Sequence, residues 1–214
     1  RMLSVTYSAA LYGLEGYIVT IECSGQTNIP ALEIVGLPDM AVREAKQRMM
    51  AAAANCALPF PELEMVVNLA PADRKKEGSA FDAAMLTAIL QCGGVIPHDV
   101  PMEEKCFIGE LSLSGQLRAV RGVLSMALSA AEAGKREIYV PMENVPEAAA
   151  VQGLTVYGVS DMGALVDHLT GRAPLTPAPP CRSDLRDWTL PTSAGRSASS
   201  ALSRSPPPGR TTSS

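Results

Sequence analysis

One short loop carries five residues whose side chains could do chemistry: Arg74, Lys75, Lys76, Ser79 and Asp82. The sequence predicts an apolar strand at residues 65–69 before this loop and an apolar helix at about residues 80–91 after it. Backbone N–H groups at a helix start have no partner within the helix and favour anions. The loop is therefore the first candidate for a functional site.

The basic run of the loop has two interpretations. Arg74, Lys75 and Lys76 could contact a phosphate group or a neighbouring subunit. Acidic residues flank the run on both sides, at Asp73 and Glu77. A short charge run of mixed sign is more often a solvated turn. We favour the solvated turn and keep the contact as the alternative.

Ser79 and Asp82 also have a structural interpretation. The Ser79 hydroxyl is expected to cap the N-terminus of the following helix, and the Asp82 carboxylate to complement the helix dipole in its first turn. We favour these roles over residual catalysis, because a fold carries no activity without its site.

The other polar residues do not form a metal or disulfide site. His98 and His168 are far apart in the sequence and lack Cys or acidic partners at ligand spacing. The five cysteines are odd in number and include no Cys-x-x-Cys pair, which indicates a reducing cytoplasm. Cys92 and Cys106 are expected to be core thiols.

A nucleotide site is not predicted either. A P-loop needs a glycine, four residues and then Gly-Lys-Ser/Thr, because its backbone N–H groups and lysine cradle the phosphates. The only Gly-Lys pair, Gly134 and Lys135, is followed by Arg136 and has Ser129 at the position of the first glycine. We therefore predict no catalytic residue, metal or cofactor in this chain.

The composition indicates which classes of partner the chain is not expected to bind by itself. Hydrophobic residues make up 47% of the 214 residues and aromatic residues only 4%, so the core has small side chains and no aromatic platform for stacking bases. The net charge is -4, and residues 173–214 carry five arginines and two aspartates, so residues 1–172 are acidic. An acidic domain is a poor stand-alone nucleic-acid binder. No apolar run resembles a signal peptide or reaches the ~18 residues of a membrane span, so we expect a cytoplasmic protein without a membrane partner.

Strands and helices alternate along residues 1–172, which predicts one domain of the α/β (α+β) class with one mixed sheet. Asp39 is expected to cap the first helix. Its apolar stripe is expected at Val42, Ala45, Met49, Ala52 and Cys56, and the polar residues, Arg48 among them, are expected mostly on the other faces. The first two strands are expected to form a hairpin through Gly13 and Gly16. The strands are expected at residues 3–10, 17–23, 32–35, 65–69, 105–113, 137–140 and 155–159, and the helices at residues 40–56, 80–91, 121–134, 146–151 and 161–169.

Four stretches together resemble one family, the N-terminal domain of the YifB/ComM-type magnesium-chelatase-like AAA+ ATPases. The resemblance covers nearly all of residues 2–171, in order and with natural spacing. The stretches are residues 34–44 (IVGLPDMAVRE), 67–73 (VNLAPAD), 76–82 (KEGSAFD) and 109–115 (GELSLSG) followed by 121–123 (RGV).

The resemblance implies a ribosomal-S5-domain-2-like fold, shared with the proteolytic domain of Lon proteases, in a bacterial cytoplasmic protein. In the full-length family a P-loop ATPase, which takes ATP and magnesium, follows this domain. The family assembles as hexameric rings, and some members are branch-migration helicases of natural transformation. The implied partners are thus the chain's own ATPase domain, further copies of the chain, and DNA through the whole assembly.

The resemblance to Lon raises one enzymatic alternative. Lon-type peptidases pair a serine, in a Gly-Pro-Ser-Ala-Gly loop, with a lysine at the start of a later helix, because the hydroxyl needs an adjacent base. An ungapped comparison places Ala80 at the serine position and Ser79 one residue early. The later helix has no lysine, and Lys135 follows the glycine that ends it. A serine–lysine peptidase is therefore disfavoured.

Residues 173–214 are rich in Pro, Ser, Ala and Arg and lack apolar periodicity, which predicts a disordered tail. A second hypothesis is a frameshift. Shifted by one base, GC-rich codons for residues 200–214 and 191–195 can encode segments similar to the family's ATPase. The native sequence would then end around residues 184–187. Codons that run into stops in the shifted frame would contradict this hypothesis.

These observations leave three hypotheses for the function. The favoured one is a non-catalytic N-terminal domain of a magnesium-chelatase-like AAA+ ATPase, with a role in DNA branch migration, truncated before the P-loop. The alternatives are a divergent Lon-like serine peptidase and a stand-alone binding module. The last would require a tail encoded by genuine codons and a stable oligomer of this chain alone.

Overall fold

The computed structural model of the chain describes residues 2–181 and has the predicted mixed α/β class. A short 3-10 helix, Met142–Asn144, adds to the regular elements. These are β1 (Met2–Tyr12), β2 (Glu15–Gln26), β3 (Ala31–Val35), α1 (Met40–Asn55), β4 (Glu64–Ala70), α2 (Asp82–Cys92), β5 (Lys105–Phe107), β6 (Glu110–Leu111), β7 (Leu117–Arg118), α3 (Val123–Glu132), β8 (Glu137–Pro141), α4 (Val145–Ala149), β9 (Thr155–Val159) and α5 (Met162–Leu169).

The largest sheet has four strands in the order β1-β2-β4-β3. The predicted hairpin is confirmed, and both strands are longer than expected because they stay in antiparallel register from Met2 opposite Gly25 to Tyr12 opposite Glu15. Strand β4 pairs antiparallel with β2 and parallel with β3, so this sheet is mixed. It forms the floor on which the candidate loop, at the end of β4, is built.

Helix α2 is the central helix of the domain, because each of its residues is buried. A helix that is buried on all sides has neighbours on every face, and polar side chains among these neighbours need hydrogen-bond partners on the helix. Strand β1 presents hydroxyl groups to it: Ser4 donates to the carbonyl of Ala88 at 2.5 Å and Thr6 to that of Ala84 at 2.8 Å. The polar face of β1 is therefore the buried one, whereas Leu3 is 61% exposed.

Helix α1 begins as predicted. The Asp39 side chain accepts a hydrogen bond from the Val42 N–H at 2.8 Å, which satisfies one of the free donors of the first turn. Of the expected apolar stripe of α1, Val42, Ala45, Met49 and Ala52 are buried, whereas Cys56 follows the helix and is half-buried. Arg48, which was expected mostly on the other faces, turns towards α2 and contacts Asp82.

The prediction of one mixed sheet is wrong, because the remaining strands do not join the four-stranded sheet. Strands β5, β8 and β9 form a parallel sheet in the order β5-β8-β9, and β6 pairs with β7 as a separate ladder. The single strand expected at residues 105–113 is divided at Gly109. The reason is that the Gly109 backbone bonds to the start of α2: its N–H donates to the Ala80 carbonyl at 3.0 Å, and its carbonyl accepts from the Ala83 N–H at 3.2 Å.

Residues 173–181, which the sequence assigned to a tail, contact the domain. Leu175 packs against the main core, and the Ala178 N–H donates to the Val156 carbonyl at 2.7 Å. The rest of the predicted tail and the frameshift hypothesis lie outside the described residues. Among residues 2–181, no helix has the length and apolar character needed to cross a bilayer.

Gly36 is expected to be essential for folding. Its φ of +104° is strained for other residues, and an added Cβ would collide with the Leu69 carbonyl. Gly134 has a similar φ of +83° but open space around it, so it provides the matched control. In chemical denaturation, the free energy of unfolding should fall by about 1–2 kcal/mol in Gly134→Ala and by about 3 kcal/mol or more in Gly36→Ala. The second loss is larger because the collision adds to the backbone strain. Equal losses would contradict this account.

Candidate functional site

The candidate loop is fixed to the segment between β3 and α1. The Lys76 N–H donates to the Leu37 carbonyl and the Asp39 N–H donates to the Lys76 carbonyl, both at 2.9 Å. The second carboxylate oxygen of Asp39 accepts from the Gly78 N–H at 3.0 Å. One aspartate thus caps α1 and holds the loop.

Lys76 is not part of a solvated turn. Its side chain is fully buried. The Nζ atom donates to the carbonyls of Gly36 at 2.8 Å and Arg74 at 2.6 Å, and also to that of Pro71. Burial lowers the pKa of Lys76, and the charge of Asp73 opposes that shift. The three ammonium donors hold backbone carbonyls together, so this residue is not available to an external phosphate.

The other two basic residues have different environments. The Arg74 guanidinium lies over the rings of Tyr12 and Tyr17, 5.2 Å and 4.7 Å from their centroids. Lys75 is exposed and its amine lies 3.5 Å from the Glu77 carboxylate. The solvated turn predicted for the run is therefore correct for Lys75, while Arg74 packs its charge on aromatic faces.

Asp82 and Arg48 form a buried ion pair. The Arg48 Nε and Nη2 atoms lie 2.6 Å and 2.9 Å from the two carboxylate oxygens, and the Leu111 N–H donates to the same carboxylate at 3.1 Å. Burial raises the pKa of Asp82, and the hydrogen bonds from Arg48 and Leu111 oppose the shift. The hydrogen bond to Asp82 raises the pKa of Arg48. Asp82 lies in the first turn of α2, as expected from the dipole.

Ser79 does not cap the helix, contrary to the expectation. Helix α2 begins at Asp82, and its N-cap position, Phe81, makes no side-chain capping bond. The backbone of Gly109 bonds on either side of this point, so residues 79–81 form a turn before the helix. The Ser79 hydroxyl instead donates to the Glu110 carboxylate at 2.9 Å.

A cavity of about 470 Å³ opens beside this hydroxyl. Ser79 and Glu110 line it together with Lys75, whose amine is paired with Glu77, and Arg121. Helix α3 contributes Met126, which lies in the region where the resemblance to Lon requires a lysine. Among residues 2–181, the side chain that accepts from Ser79 is thus a carboxylate, and no lysine replaces the missing base.

Gly134 and Lys135 do not fit a phosphate-binding site. The Lys135 amine lies over the Tyr7 ring, 3.2 Å from its centroid, and donates to the Glu103 carbonyl. Burial lowers the pKa of Lys135. An amine held in this way stabilises the packing of β1 and cannot also cradle a nucleotide.

The remaining polar candidates are separate from the loop. His98 is exposed, and His168 contacts Tyr139 on the other sheet. In the described part of the chain, no group of three or more His, Cys, Asp or Glu side chains could hold a metal ion. Cys92 and Cys106 are buried, as expected for core thiols, and burial raises the pKa of Cys106 to about 12.

Sequence reasoning missed the partners Arg48 and Glu110. A signal for Arg48 was present, because it follows Ala45 by three residues and precedes Ala52 by four, which places it at the edge of the buried stripe of α1. No such signal marks Glu110, which reaches Ser79 only through the packing of β6 on α2.

Breaking the buried pair should be costly. Arg48→Met leaves the Asp82 carboxylate buried without its partner, and we expect a loss of about 3–5 kcal/mol in the free energy of unfolding at pH 7. The loss should shrink at acid pH, because the raised pKa of Asp82 lets the folded protein take up a proton first. Urea denaturation at several pH values measures both effects.

Two variants control this experiment. Arg48→Met with Asp82→Asn removes the charge and keeps an acceptor for Leu111, so it should recover most of the lost stability. Lys75→Ala breaks an exposed pair and should cost less than about 1 kcal/mol. A double variant no more stable than Arg48→Met would show that the pair is not the source of the loss.

Lys75 and Lys76 are adjacent but should differ in reactivity towards an amine-acetylating reagent. Lys75 should be modified quickly, because its side chain is 64% exposed. Lys76 should be protected in the folded protein and react only in denaturant, because it is buried and its donors are used. Tandem mass spectrometry distinguishes the two sites. Comparable modification of both under native conditions would contradict the buried position of Lys76.

Comparison with known proteins identifies relatives of this sequence. The family described as subunit ChlI of Mg-chelatase matches residues 21–144, more than half of the chain. An uncharacterized protein of Mycobacterium bovis is 39% identical over 79% of this chain and 33% of its own length. Competence protein ComM of Haemophilus influenzae is 35% identical over 81% of this chain and 34% of its own. The uncharacterized protein YifB of Escherichia coli is 32% identical over 79% and 33%.

The chain spans about a third of the length of these curated relatives. The matched region includes α1, α2 and β6, which position the buried pair, and the candidate loop and α3, which line the cavity. The resemblance to magnesium-chelatase-like proteins of the YifB and ComM type is therefore confirmed, and the chain belongs to the family of subunit ChlI of Mg-chelatase.

Proposed function

We propose that this chain is a non-catalytic N-terminal domain of a magnesium-chelatase-like AAA+ ATPase, acting in the cytoplasm. The proposal rests on one observation, which is that charged residues in and near the loop are bonded to other groups of the same domain. The Arg48–Asp82 pair and the three donors of Lys76 bind groups of the domain itself. A loop built in this way supports a structural role for residues 2–181, in which the domain offers its surface to partners. Binding and hydrolysis of ATP would then belong to a separate domain.

The proposed assembly is a homo-oligomeric ring that acts on DNA. Support comes from one relative, which is named competence protein ComM, and from the family resemblance, which implies hexamers and branch migration in natural transformation. The chain itself is acidic, with a net charge of -4. Contact with DNA therefore falls to the whole assembly, and ATP and magnesium would bind to the ATPase domain.

A second candidate is a divergent serine hydrolase. One observation favours it: the Ser79 hydroxyl donates to the Glu110 carboxylate at 2.9 Å beside a cavity of about 470 Å³. A carboxylate can accept the proton of a nucleophile, although His or Lys is the more usual base for serine. The third candidate, a stand-alone binding module, has no comparable observation in residues 2–181.

The first and second candidates differ in a direct assay of this chain. The protein is incubated with a fluorophosphonate probe and with a fluorogenic casein. We expect neither covalent labelling nor turnover, because no lysine or histidine within residues 2–181 hydrogen-bonds to the Ser79 hydroxyl. Ser79→Ala and Ser114→Ala are the matched variants, since the Ser114 hydroxyl hydrogen-bonds to Ser112 and not to a titratable group of the described residues. Labelling that is lost in Ser79→Ala and kept in Ser114→Ala would establish the hydrolase instead.

DNA binding provides an independent measurement. In fluorescence anisotropy at about 0.15 M salt, the isolated chain should bind duplex DNA no more tightly than roughly 10⁻⁴–10⁻⁶ M, the range of non-specific association, because its net charge is negative. Nanomolar binding by this chain alone would overturn the proposal that DNA contact requires the assembly, and would favour the binding module.

A further inference from the structure

The segment that follows α5 is attached to the domain by hydrogen bonds from four of its residues. We call residues 173–181 the exit strap. Prolines occupy positions 174, 177, 179 and 180, so these residues have no backbone N–H to donate. The N–H groups of Ala173, Ala178 and Cys181 donate to backbone carbonyls at 3.2, 2.7 and 3.4 Å, whereas the Leu175 N–H donates to the His168 side chain at 2.8 Å. The Leu175 bond is therefore the one whose acceptor can take up a proton.

The bond from Leu175 defines the proton position on His168. The acceptor is the Nδ1 atom, which must therefore be unprotonated. In the neutral ring the proton is then on Nε2, which lies 3.2 Å from the Tyr139 hydroxyl oxygen and donates to it. The Tyr139 hydroxyl in turn donates to the Glu137 carboxylate at 2.9 Å. The ring is thus fixed at both nitrogens, as a donor to Tyr139 and an acceptor for the strap.

We propose that His168 is a proton-operated latch for the exit strap. When the imidazole is neutral, Nδ1 accepts from Leu175 and the strap is docked. When the ring takes a proton, Nδ1 becomes a donor that faces the Leu175 N–H, and two donors cannot share a hydrogen bond. The strap must then leave the ring at this point. Leu175, which packs against the main core, is withdrawn with it.

The charges around the ring decide in which direction the latch responds. The groups that face it are Glu137 and Tyr139 on β8, Lys105 on β5 and Tyr157 on β9, and Asp99 lines the same cavity. Burial lowers the pKa of His168, the Glu137 charge raises it, and the Lys105 charge lowers it further. Lys105 also pairs with Glu137 at 3.2 Å, which weakens the attraction of that carboxylate for an imidazolium.

The direction of the pH dependence follows from this lowered pKa of His168. An unfolded histidine titrates near pH 6.5. Because burial in the folded protein lowers the pKa of His168, the neutral ring that accepts from Leu175 is fully favoured above that pH. The stabilisation is lost as the pH falls from there through the pKa of the docked ring. The latch depends only on residues 105–178 and stands whether or not the proposed ATPase role is correct.

Hydrogen exchange followed by NMR on the wild-type chain tests the latch directly. The protection factor of the Leu175 amide should be highest at pH 7.5. It should fall about fivefold to tenfold by pH 5, the factor expected for the loss of one ordinary hydrogen bond. The fall should follow the imidazole titration of His168, which carbon-detected spectra resolve from that of His98. No change in Leu175 protection across the titration of His168 would overturn the proposal.

Two variants separate the latch from general effects of acid. His168→Phe keeps a ring against the tyrosines but has no acceptor, so Leu175 should be unprotected at every pH while the amides of β8 keep their protection. His98→Gln changes the exposed histidine and should leave the wild-type profile unaltered. Wild-type protection of Leu175 in His168→Phe would also refute the latch, and the wild-type titration decides the question if that variant does not fold.

Discussion

The structure depends most on the buried ion pair between Arg48 and Asp82. A carboxylate and a guanidinium removed from water lose several kcal/mol of hydration each, which only close, hydrogen-bonded geometry offsets. Here the pair is bidentate, and the Leu111 N–H completes the shell of the carboxylate. The pair therefore fixes α1, the start of α2 and β6 relative to one another, and through Glu110 it fixes the cavity beside Ser79.

Contacts within the domain also explain why the basic run of the loop does not offer an anion site, the alternative that the sequence kept. Each of the three neighbouring basic residues has a different structural role. Lys76 is enclosed by carbonyls, Arg74 lies on two tyrosine rings, and Lys75 pairs with a glutamate in solvent. Charge that is already neutralised by the protein has little affinity left for an external phosphate. This is a physical reason to regard the loop as a connector between elements.

The cavity shows what remains of a site when its base is absent. The turn at residues 79–81 places a hydroxyl beside an open cavity, a common arrangement for a nucleophile. The neighbouring helix contributes Met126 where an amine would be needed, so the hydroxyl bonds to Glu110 instead. The parallel sheet of β5, β8 and β9 carries a separate polar network, from Lys105 to His168, which holds the exit strap.

The sequence by itself determined the α/β class, the hairpin, the Asp39 cap and the family, because hydrophobic periodicity, turn residues and local motifs act over a few residues. Tertiary structure alone decided that Lys76 is buried, that β5 and β6 separate at Gly109, and that Glu110 meets Ser79. Arg48 lies between these cases. Its position at the edge of the buried stripe of α1 could be predicted from the sequence, but its partner could not. These contacts join residues 31 to 40 positions apart, and such distances are set by packing, which local patterns do not encode.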